Sequence, residues 1–199
     1  MLGAGRSANS LVSYLLERSE QFDWKLTIAD YALQFAEKMT QGHERAQARA
    51  LDITDDQARS AFVQEHDLIV SLLPARFHPI VAEDCLKLNK HLFTASYVSD
   101  DMRALSKQAE AKGLLFLNEC GLDPGIDHMS AMKVIDHIRK DKGLELKAFE
   151  SFTGGLLAPD DNDDNPWQYG FTWNPRNVVL AGQGTVKFIQ EGRYKFIPY

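Results

Sequence analysis

The sequence predicts an α/β fold in which a doubly wound parallel sheet is followed by the start of an α+β domain. Short apolar runs of strand length alternate with amphipathic helical segments as far as residue 119, and the connections between them are short. This alternation selects parallel strands joined by right-handed crossovers. The run DLIVSLLP (67–74) is continuously apolar, as is typical of a strand covered on both faces. After residue 124 the alternation ends, so we predict domains at 1–124 and 125–199.

The first predicted element is a glycine turn that leads directly into a helix. Apolar residues recur there at helical spacing: Ala8, Leu11, Val12, Leu15 and Leu16. Only Met1 and Leu2 stand where the sheet's first strand would run. We therefore expect a fragment of a longer protein that lacks most of its first strand.

The remaining strands of the sheet are predicted at 25–29, in a poorly marked segment that ends in 50–54, and at 67–74, 91–97 and 114–119. Recognised helix signals stand between them. Thr54 or Asp55 is an N-cap, Pro79 fits a first helical turn, and a helix from Ser99 to Lys112 ends at Gly113. Six strand positions separated by helices complete the predicted sheet.

The segment after residue 124 has a different pattern, which predicts the α+β domain. A helix is expected over about 126–140, a strand over 144–152, a short helix from Asn174 and Pro175, and a hairpin over 185–198 around a Glu-Gly turn. The acidic, proline-bounded loop between residues 154 and 166 lacks the ligand spacing and glycine of an EF-hand loop. We interpret that loop as solvated.

Composition limits the classes of function. The chain has 199 residues, 44% hydrophobic and 25% charged, with a net charge of −6. This balance, without a basic stripe, argues against a nucleic-acid surface. No apolar run approaches the roughly 18 residues of a membrane span, and the amino terminus lacks a secretion signal, so we expect no membrane association and a cytoplasmic location. Cys85 and Cys120 lack a metal-type spacing and are interpreted as buried thiols.

The first residues after Leu2 match a dinucleotide-binding fingerprint. GAGRSA (3–8) reads as G-x-G-x-x-A, in which glycines let the backbone approach a pyrophosphate at a helix amino terminus. Asp30 closes the next predicted strand 22 residues after Ala8, where an acidic residue would hold ribose hydroxyls. A solvated loop acid is the alternative for Asp30. Together these features predict a Rossmann-type domain.

Doubly wound sheets bind ligands at the carboxyl ends of their strands. In this sequence those ends carry GAGRSA, Asp30, Asp52 with Ile53, SLLP (71–74), 95–97 and CGLDPGIDH (120–128). Small and turn-forming residues at such positions let backbone amides approach a phosphate or a nicotinamide. Each segment alone also satisfies a local turn, but their convergence on one edge favours a ligand site.

Five longer motifs make the pattern specific: SLLPARFH, TASYVSDDM, NECGLDPGIDH, SFTGGLLAP and NPWQYGFTWNPRNV. Over the whole chain they resemble the saccharopine dehydrogenase family, in the pattern of its glutamate-forming members. The resemblance implies an NAD(P)-dependent oxidoreductase of lysine metabolism that acts on the C–N bond of a secondary amino acid. It also implies that this chain is a fragment that lacks the C-terminal half. Alternatives are an imine reductase of the carboxynorspermidine dehydrogenase type and, in another class, a non-catalytic dinucleotide-binding sensor.

The resemblance also implies roles for individual residues. One set is expected to contact the dinucleotide, in order from its pyrophosphate through ribose and adenine to the nicotinamide. This set is Gly3, Gly5, Arg6, Ser7, Asp30, Asp52, Ile53, Leu73, Pro74, Thr94, Ala95, Ser96, Leu122, Asp123 and Pro124. Those expected to contact the substrate are Ser96, Tyr97, Asp123, Phe171, Thr172 and Trp173.

Imine reduction needs one proton in addition to a hydride, so a titratable group is expected beside the nicotinamide. Asp123 is our candidate, with Tyr97 or a bound water as alternatives. Asp123 also fits a structural role before a proline, and Asp127 fits the cap of the next helix. A metal site formed by Asp123, Asp127 and His128 is less favoured, because hydride transfer needs no metal; we predict none.

Cofactor choice depends on two residues with opposite charge. Asp30 would repel a 2′-phosphate and therefore favours NAD, whereas Arg6 leaves NADP possible. The substrate carboxylates need cationic partners, for which Arg76 and Arg176 are candidates by position. A homodimer is the default expectation for such an enzyme.

Overall fold

The predicted parallel sheet is present in the computed structural model, which describes residues 1–152, 157, 166–171 and 175–198. Its strands are β1 (Leu26–Asp30), β2 (Ala46–Ala50), β3 (Leu68–Ser71), β4 (His91–Thr94) and β5 (Phe116–Leu117). All pairings among them are parallel: β1 with β2, β3 with β4, and β4 with β5. The α/β prediction is therefore confirmed.

Leu2 joins the two groups of strands at the centre of the sheet. It forms parallel bridges to Ala29 of β1 and to Ser71 of β3, and its N–H donates to the Val70 carbonyl oxygen at 2.8 Å. Leu2 is only 1% exposed. The resulting order, β2-β1-Leu2-β3-β4-β5, is that of a doubly wound sheet whose first strand lies in the middle.

Helices of the first part of the chain are α1 (Asn9–Ser19), α2 (Leu33–Thr40), α3 (Asp56–Gln64), α4 (His78–Leu88), α5 (Asp100–Ala104), α6 (Ser106–Ala111) and α7 (Ile126–Asp136). Buried side chains form two clusters. The neighbouring residues Ile28 and Ala29 belong to different clusters, which places the clusters on opposite faces of the sheet because strand side chains alternate. Helices α1 and α2 contribute to one cluster, and α3, α4 and α5 to the other.

Several predicted helix boundaries are confirmed by their capping contacts. The Asp55 side chain accepts hydrogen bonds from the N–H groups of Gln57 and Ala58, and Ser99 Oγ accepts one from Met102 N–H. The helix predicted from Ser99 is, however, divided at Leu105 into α5 and α6.

Other elements differ from their predictions. The strand expected to end within 50–54 ends at its first residue, Ala50, because Leu51 and its neighbours turn away to line a pocket. The last strand shortens to Phe116–Leu117, and α7 passes into a π-helical turn at His137–Asp141. No strand forms over 144–152, because among the described residues no neighbouring strand pairs with it.

The two cysteines also differ from each other. Cys85 is buried in α4, as predicted, whereas Cys120 is exposed, so the prediction of two buried thiols was wrong for Cys120. Cys120 follows β5, and within the described part of the chain no further strand pairs beyond β5 to cover it. Both thiols are free.

The chain divides into two compact units, Met1–Ser151 and Phe152–Tyr199. The second unit contains α8 (Pro175–Ala181) and the antiparallel pair β6 (Val186–Gln190) and β7 (Arg193–Ile197). Glu191 and Gly192 form the predicted turn with positive φ values of 53° and 72°. The boundary predicted at 124/125 stays a prediction. No described helix is both long and apolar enough to cross a bilayer.

Candidate functional site

The glycine turn occupies the centre of the sheet's carboxyl edge. Gly3 has a φ of +97°, and a Cβ at this position would lie 3.0 Å from the Leu72 carbonyl oxygen, so the fold itself requires glycine. Gly5 has a φ of −74°, and an added Cβ there would meet nothing within 4 Å. Gly5, Arg6 and Ser7 are exposed. The open side of the turn therefore leaves room for a ligand to approach the backbone.

Asp30 is attached to this turn rather than solvated. One carboxylate oxygen accepts a hydrogen bond from Ala4 N–H at 2.8 Å, and the other accepts one from Ala32 N–H at 3.0 Å. The end of β1 thus holds the glycine turn through the Ala4 amide, while the Ala32 amide fixes the carboxylate from the chain just after β1. Each oxygen retains lone-pair capacity for a further donor.

A pocket of about 290 Å³ opens next to Asp30, near the lower end of the range for small-molecule sites. It contains the five residues predicted for the ribose, the adenine and the middle of the cofactor, namely Asp30, Asp52, Ile53, Leu73 and Pro74. The sequence analysis missed other lining residues: Leu2, Ala29, Tyr31, Leu51, Thr54 and Phe77. A largely apolar pocket with a carboxylate at its rim fits the adenosine part of a dinucleotide.

The pocket is held by hydrogen bonds on two sides. Thr54 donates its N–H and its hydroxyl to Asp52 Oδ1 at 2.9 and 2.6 Å, and these bonds lower the pKa of the Asp52 carboxyl. Arg59 Nη1 donates to the Ile53 carbonyl oxygen at 2.8 Å, while its Nε donates to Asp84 at 2.7 Å. Arg59 and Asp84 are both buried, so an ion pair between α3 and α4 fixes this wall.

The segments after β4 and β5 run side by side at the other end of the edge. Cys120 N–H donates to the Thr94 carbonyl oxygen at 3.0 Å, and Glu119 N–H donates to that of Ser96 at 3.1 Å. Thr94 Oγ1 also donates to Asn118 Oδ1 at 3.2 Å. These contacts bring the predicted nicotinamide residues after β4 next to the GLDPG loop.

The GLDPG loop (121–125) closes on itself and carries Asp123 on its outer side. Gly121 N–H donates to the Pro124 carbonyl oxygen at 2.9 Å. Gly125 has a φ of 153°, and any Cβ there would collide with the Gly121 carbonyl oxygen. Pro124 is buried, whereas Leu122 and Asp123 are exposed. The loop therefore has a defined shape in which Leu122 and Asp123 are accessible to a ligand, whereas the side chain of Pro124, also predicted to contact the cofactor, is buried.

The two candidate proton-transfer residues are in contact. Tyr97 Oη donates a hydrogen bond to Asp123 Oδ1 at 2.5 Å. This bond raises the pKa of Tyr97 to about 12, so at neutral pH the phenol keeps its proton and Asp123 accepts from it. The structure thus joins two residues that were alternatives on the sequence alone.

A buried histidine connects two serines of the same edge. His78, the first residue of α4, has Nδ1 3.0 Å from Ser71 Oγ and Nε2 2.8 Å from Ser96 Oγ. Burial lowers the pKa of His78 to about 4, so its ring is neutral at physiological pH. The sequence analysis missed this residue. Its signal was its place between the SLLP strand end and Pro79, where a helix begins against the sheet edge.

Asp127 and His128 form a separate pair at the start of α7. Asp127 Oδ1 accepts a hydrogen bond from Gly125 N–H at 2.8 Å and lies 2.8 Å from His128 Nδ1. The bond to Asp127 raises the pKa of His128. Asp127 therefore supports the loop rather than capping a helix N–H. Within the described part of the chain, no group of three or more His, Cys, Asp or Glu side chains is placed to hold a metal ion.

The remaining predicted residues belong to other surroundings. Phe171, in the second unit, is exposed and packs edge-on against Tyr169. Thr172 and Trp173 lie outside the described residues. The Arg76 guanidinium lies over the Phe77 ring at 4.5 Å, which puts it near the adenosine-type pocket.

The chain has a doubly wound sheet with a glycine turn, an acidic residue after the second strand position and a pocket at its carboxyl edge. Together these features define a dinucleotide-binding α/β protein. Residues 1–117 match the family model of the saccharopine dehydrogenase NADP binding domain, and residues 121–199 match that of the saccharopine dehydrogenase C-terminal domain. The chain belongs to the saccharopine dehydrogenase family, as the motifs predicted.

Curated relatives extend this finding. The chain is 39% identical over 193 residues to saccharopine dehydrogenase [NADP(+), L-glutamate-forming] of Schizosaccharomyces pombe, covering 97% of this chain and 42% of the relative. It is 40% identical over 178 residues to alpha-aminoadipic semialdehyde synthase of Arabidopsis thaliana, covering 88% of this chain and 16% of that relative. It therefore spans less than half the length of these relatives.

A solved structure shares the fold. The apo saccharopine dehydrogenase (L-Glu forming) from Saccharomyces cerevisiae superposes with a TM-score of 0.84 at 35% identity, covering 99% of this chain and 43% of that one. The family model and the fungal relative both carry NADP in their names. The preference for NAD, inferred from Asp30, is thus not confirmed.

Proposed function

We propose that the protein is an NADP-dependent oxidoreductase that acts on the CH–NH bond of saccharopine and forms glutamate. The observation that carries the proposal is the Tyr97–Asp123 hydrogen bond of 2.5 Å, which puts a paired acid and base at the carboxyl edge of a dinucleotide-binding sheet. A binding module without chemistry would not need this pair. The names of the fungal relatives supply the substrate and the cofactor.

The residues of the edge fit a dinucleotide in order. The exposed amides after Gly5 would hold the pyrophosphate, and the pocket beside Asp30 would hold the adenosine. Thr94, Ala95 and Ser96, with Leu122 and Pro124, would flank the nicotinamide. When bound, the nicotinamide would accept a hydride in the oxidative direction and supply one in the reductive direction.

The 2′-phosphate of NADP needs a cationic partner, and Arg6 on the exposed turn is our candidate. Ala4 N–H and Ala32 N–H already bind the Asp30 carboxylate, so Asp30 acts mainly on the glycine turn. This role reduces the conflict between Asp30 and NADP that the sequence suggested.

Asp123 is the proposed general base of the oxidative direction. Its carboxylate would take the proton from the secondary amine nitrogen as the adjacent C–H bond gives up a hydride, which leaves a C=N bond for water to hydrolyse. Tyr97, whose pKa is raised to about 12, keeps its proton and orients the carboxylate. In the reductive direction the protonated Asp123 would return the proton to nitrogen.

The test is the absorbance change of the nicotinamide with saccharopine, measured with NADP and with NAD. We expect turnover with NADP, a loss of about 10²- to 10⁴-fold in kcat for Asp123→Asn, and a smaller loss for Tyr97→Phe. Tyr97→Phe should bind NADPH as the wild type does, because Tyr97 is predicted to contact the substrate and not the cofactor. His66→Gln, just after α3 and away from this edge, is the matched control.

The outcomes separate the alternatives. Turnover of carboxynorspermidine instead of saccharopine would indicate the related imine reductase. NADPH binding with no turnover of either amine would indicate a sensor and overturn the proposal. Equal kcat for wild type and Asp123→Asn would remove Asp123 from the chemistry.

Three further expectations belong to the same proposal. Phe171, Thr172 and Trp173 would contribute to the substrate pocket, the protein would form a homodimer, and it would act in the cytoplasm. Alanine substitutions that change the KM for saccharopine but not for NADP would support the first. Light scattering on the purified protein would test the second, and cell fractionation the third.

A further inference from the structure

The side chains of Ser71, His78 and Ser96 form a hydrogen-bonded row. The proposed chemistry does not use its histidine. His78 is 3% exposed and Ser71 is 0% exposed, while Ser96 is half-buried and reaches the candidate site. The row runs from the end of β3, through the first residue of α4, to the segment after β4. A side chain so buried, with both ring nitrogens in contact, is built to hold a fixed orientation.

The direction of the hydrogen bonds follows from the buried end of the row. A neutral imidazole has one N–H and one acceptor nitrogen. Within the described chain, Ser71 Oγ has no side-chain or main-chain partner other than His78 Nδ1. If Nδ1 carried the proton, the buried Ser71 hydroxyl proton would have no acceptor, which is unfavourable. Ser71 therefore donates to Nδ1, and the proton of His78 resides on Nε2.

The exposed end of the row then has a defined polarity. His78 Nε2–H donates to Ser96 Oγ over 2.8 Å, so a lone pair of Ser96 is occupied. Its hydroxyl proton has no acceptor among the described residues. We propose that His78 is a positioning residue that presents the Ser96 hydroxyl as a hydrogen-bond donor to an oxygen atom of the bound ligand. The inference rests on the proposed function, in which Ser96 lies beside both cofactor and substrate.

The acceptor is an uncharged or anionic oxygen, and two sources provide one. A ribose or carboxamide oxygen would come from the dinucleotide, and a carboxylate oxygen would come from the amino-acid substrate. Ser96 Oγ keeps one further lone pair, but its hydroxyl proton has no other acceptor among the described residues, so a ligand oxygen is favoured at this point.

The first measurement is the tautomer of His78 by ¹⁵N NMR of the imidazole nitrogens. His78→Gln identifies the relevant signals among the six histidines of the chain. We expect a proton on Nε2 and none on Nδ1 in the wild type, and a loss of this preference in Ser71→Ala. A proton on Nδ1 in the wild type would overturn the inference, whatever the protein binds.

The second measurement compares His78→Leu, His78→Gln and Ser96→Ala for the Kd of NADPH and the KM for saccharopine. Loss of one hydrogen bond predicts about a 3- to 10-fold weakening for Ser96→Ala and for His78→Leu. The glutamine amide can replace Nε2–H, so His78→Gln should stay within about 2-fold of the wild type. The double variant His78→Leu/Ser96→Ala should be no weaker than Ser96→Ala, because His78 acts through Ser96.

The Kd of NADPH and the KM for saccharopine together identify which molecule provides the oxygen that accepts from Ser96. A change in the Kd of NADPH indicates the dinucleotide, and a change confined to the KM for saccharopine indicates the substrate carboxylate. Additive losses in the double variant, or no change in either quantity, would overturn the inference. A wild type without NADPH binding or turnover would instead overturn the proposed function, and with it the ligand contact, while the NMR result would still decide the hydrogen-bond order.

Discussion

The two ends of the sheet's carboxyl edge are built differently. The end beside Asp30 is a pocket whose wall is held by the buried Arg59–Asp84 ion pair. The end beside β4 and β5 is a surface on which Tyr97 is 61% exposed and Leu122 is 73% exposed. At the first end the main chain and the core set the shape, whereas at the second end hydrogen bonds between side chains set the positions of the reactive groups.

This difference fits the tasks that we propose for the two ends. A cofactor common to many enzymes needs a pocket of fixed shape, whereas the chemistry needs groups that substrate can reach. At the second end, hydrogen bonds join Ser71, His78 and Ser96 in one group and Tyr97 and Asp123 in another. We therefore expect changes at the first end to alter stability and changes at the second end to alter ligand contacts and pH dependence.

The largest effect on stability is expected for Arg59→Ala. The substitution removes the hydrogen-bonded partner of the Asp84 carboxylate, of which only 7% of the side chain is exposed, and leaves it with Lys87 Nζ at 4.0 Å. Loss of one member of a buried pair costs about 3–5 kcal/mol in the free energy of unfolding. Urea denaturation should detect this loss, and NADPH affinity of the remaining folded protein should fall because the Ile53 carbonyl loses its donor.

Arg49→Ala is the matched control for this prediction. Arg49 pairs with Glu65 at 2.6 Å, but the two side chains are 35% and 53% exposed, so its removal should cost less than about 1 kcal/mol. Equal losses for the Arg59 and Arg49 variants would show that the buried pair does not hold the adenosine end.

The second end should respond to pH. The pKa of His78 is about 4 in the folded protein and about 6.5 in the unfolded chain. Between these values only the unfolded chain binds the proton, so stability falls as the pH is lowered from about 6.5 to 4, by about 3 kcal/mol at most. His78→Gln should remove this part of the pH dependence, which urea titrations at several pH values can measure.

The contribution of His78 is the difference between the pH dependence of stability of the wild type and that of His78→Gln. Burial also lowers the pKa of His66, and this histidine contributes to acid sensitivity in the same direction in both. A His78→Gln variant that loses stability with falling pH as steeply as the wild type would contradict the assignment of a buried neutral ring.

At both ends the sequence predicted local patterns better than contacts between separate elements. The glycine turn, Asp30 and the apolar strand runs are local patterns, and the sheet brings them together whatever side chains surround them. His78 and Arg59 could not be assigned in this way, because a histidine or arginine in a helix acquires its role only through partners on other elements. The Asp30 carboxylate likewise could not be known to bind Ala4 N–H, which made NAD seem the better cofactor.

Strand boundaries were also less predictable than strand number. The strand β2 pairs with β1 over Ala46–Ala50 and does not continue to residue 54. Where it ends depends on where the chain leaves the sheet to line the pocket. The segment 144–152 alternates as a strand would, but alternation provides no pairing partner. The hairpin of β6 and β7 was predictable because its turn residues, Glu191 and Gly192, lie next to each other in the sequence.

The glycine turn lies between the two ends and allows the smallest and sharpest test. Gly3→Ala places a Cβ 3.0 Å from the Leu72 carbonyl oxygen at a φ of +97° and should cost about 1–3 kcal/mol in stability. Gly5→Ala, at a φ of −74° with no atom within 4 Å, should leave stability unchanged or slightly raised, yet weaken NADPH by about 10-fold, since its Cβ would occupy the space of the pyrophosphate. Thermal unfolding and NADPH fluorescence titration measure the two quantities separately. If Gly5→Ala bound NADPH as tightly as the wild type, the open side of the turn would not be the pyrophosphate site, and the order of the cofactor along the edge would have to be reversed or abandoned.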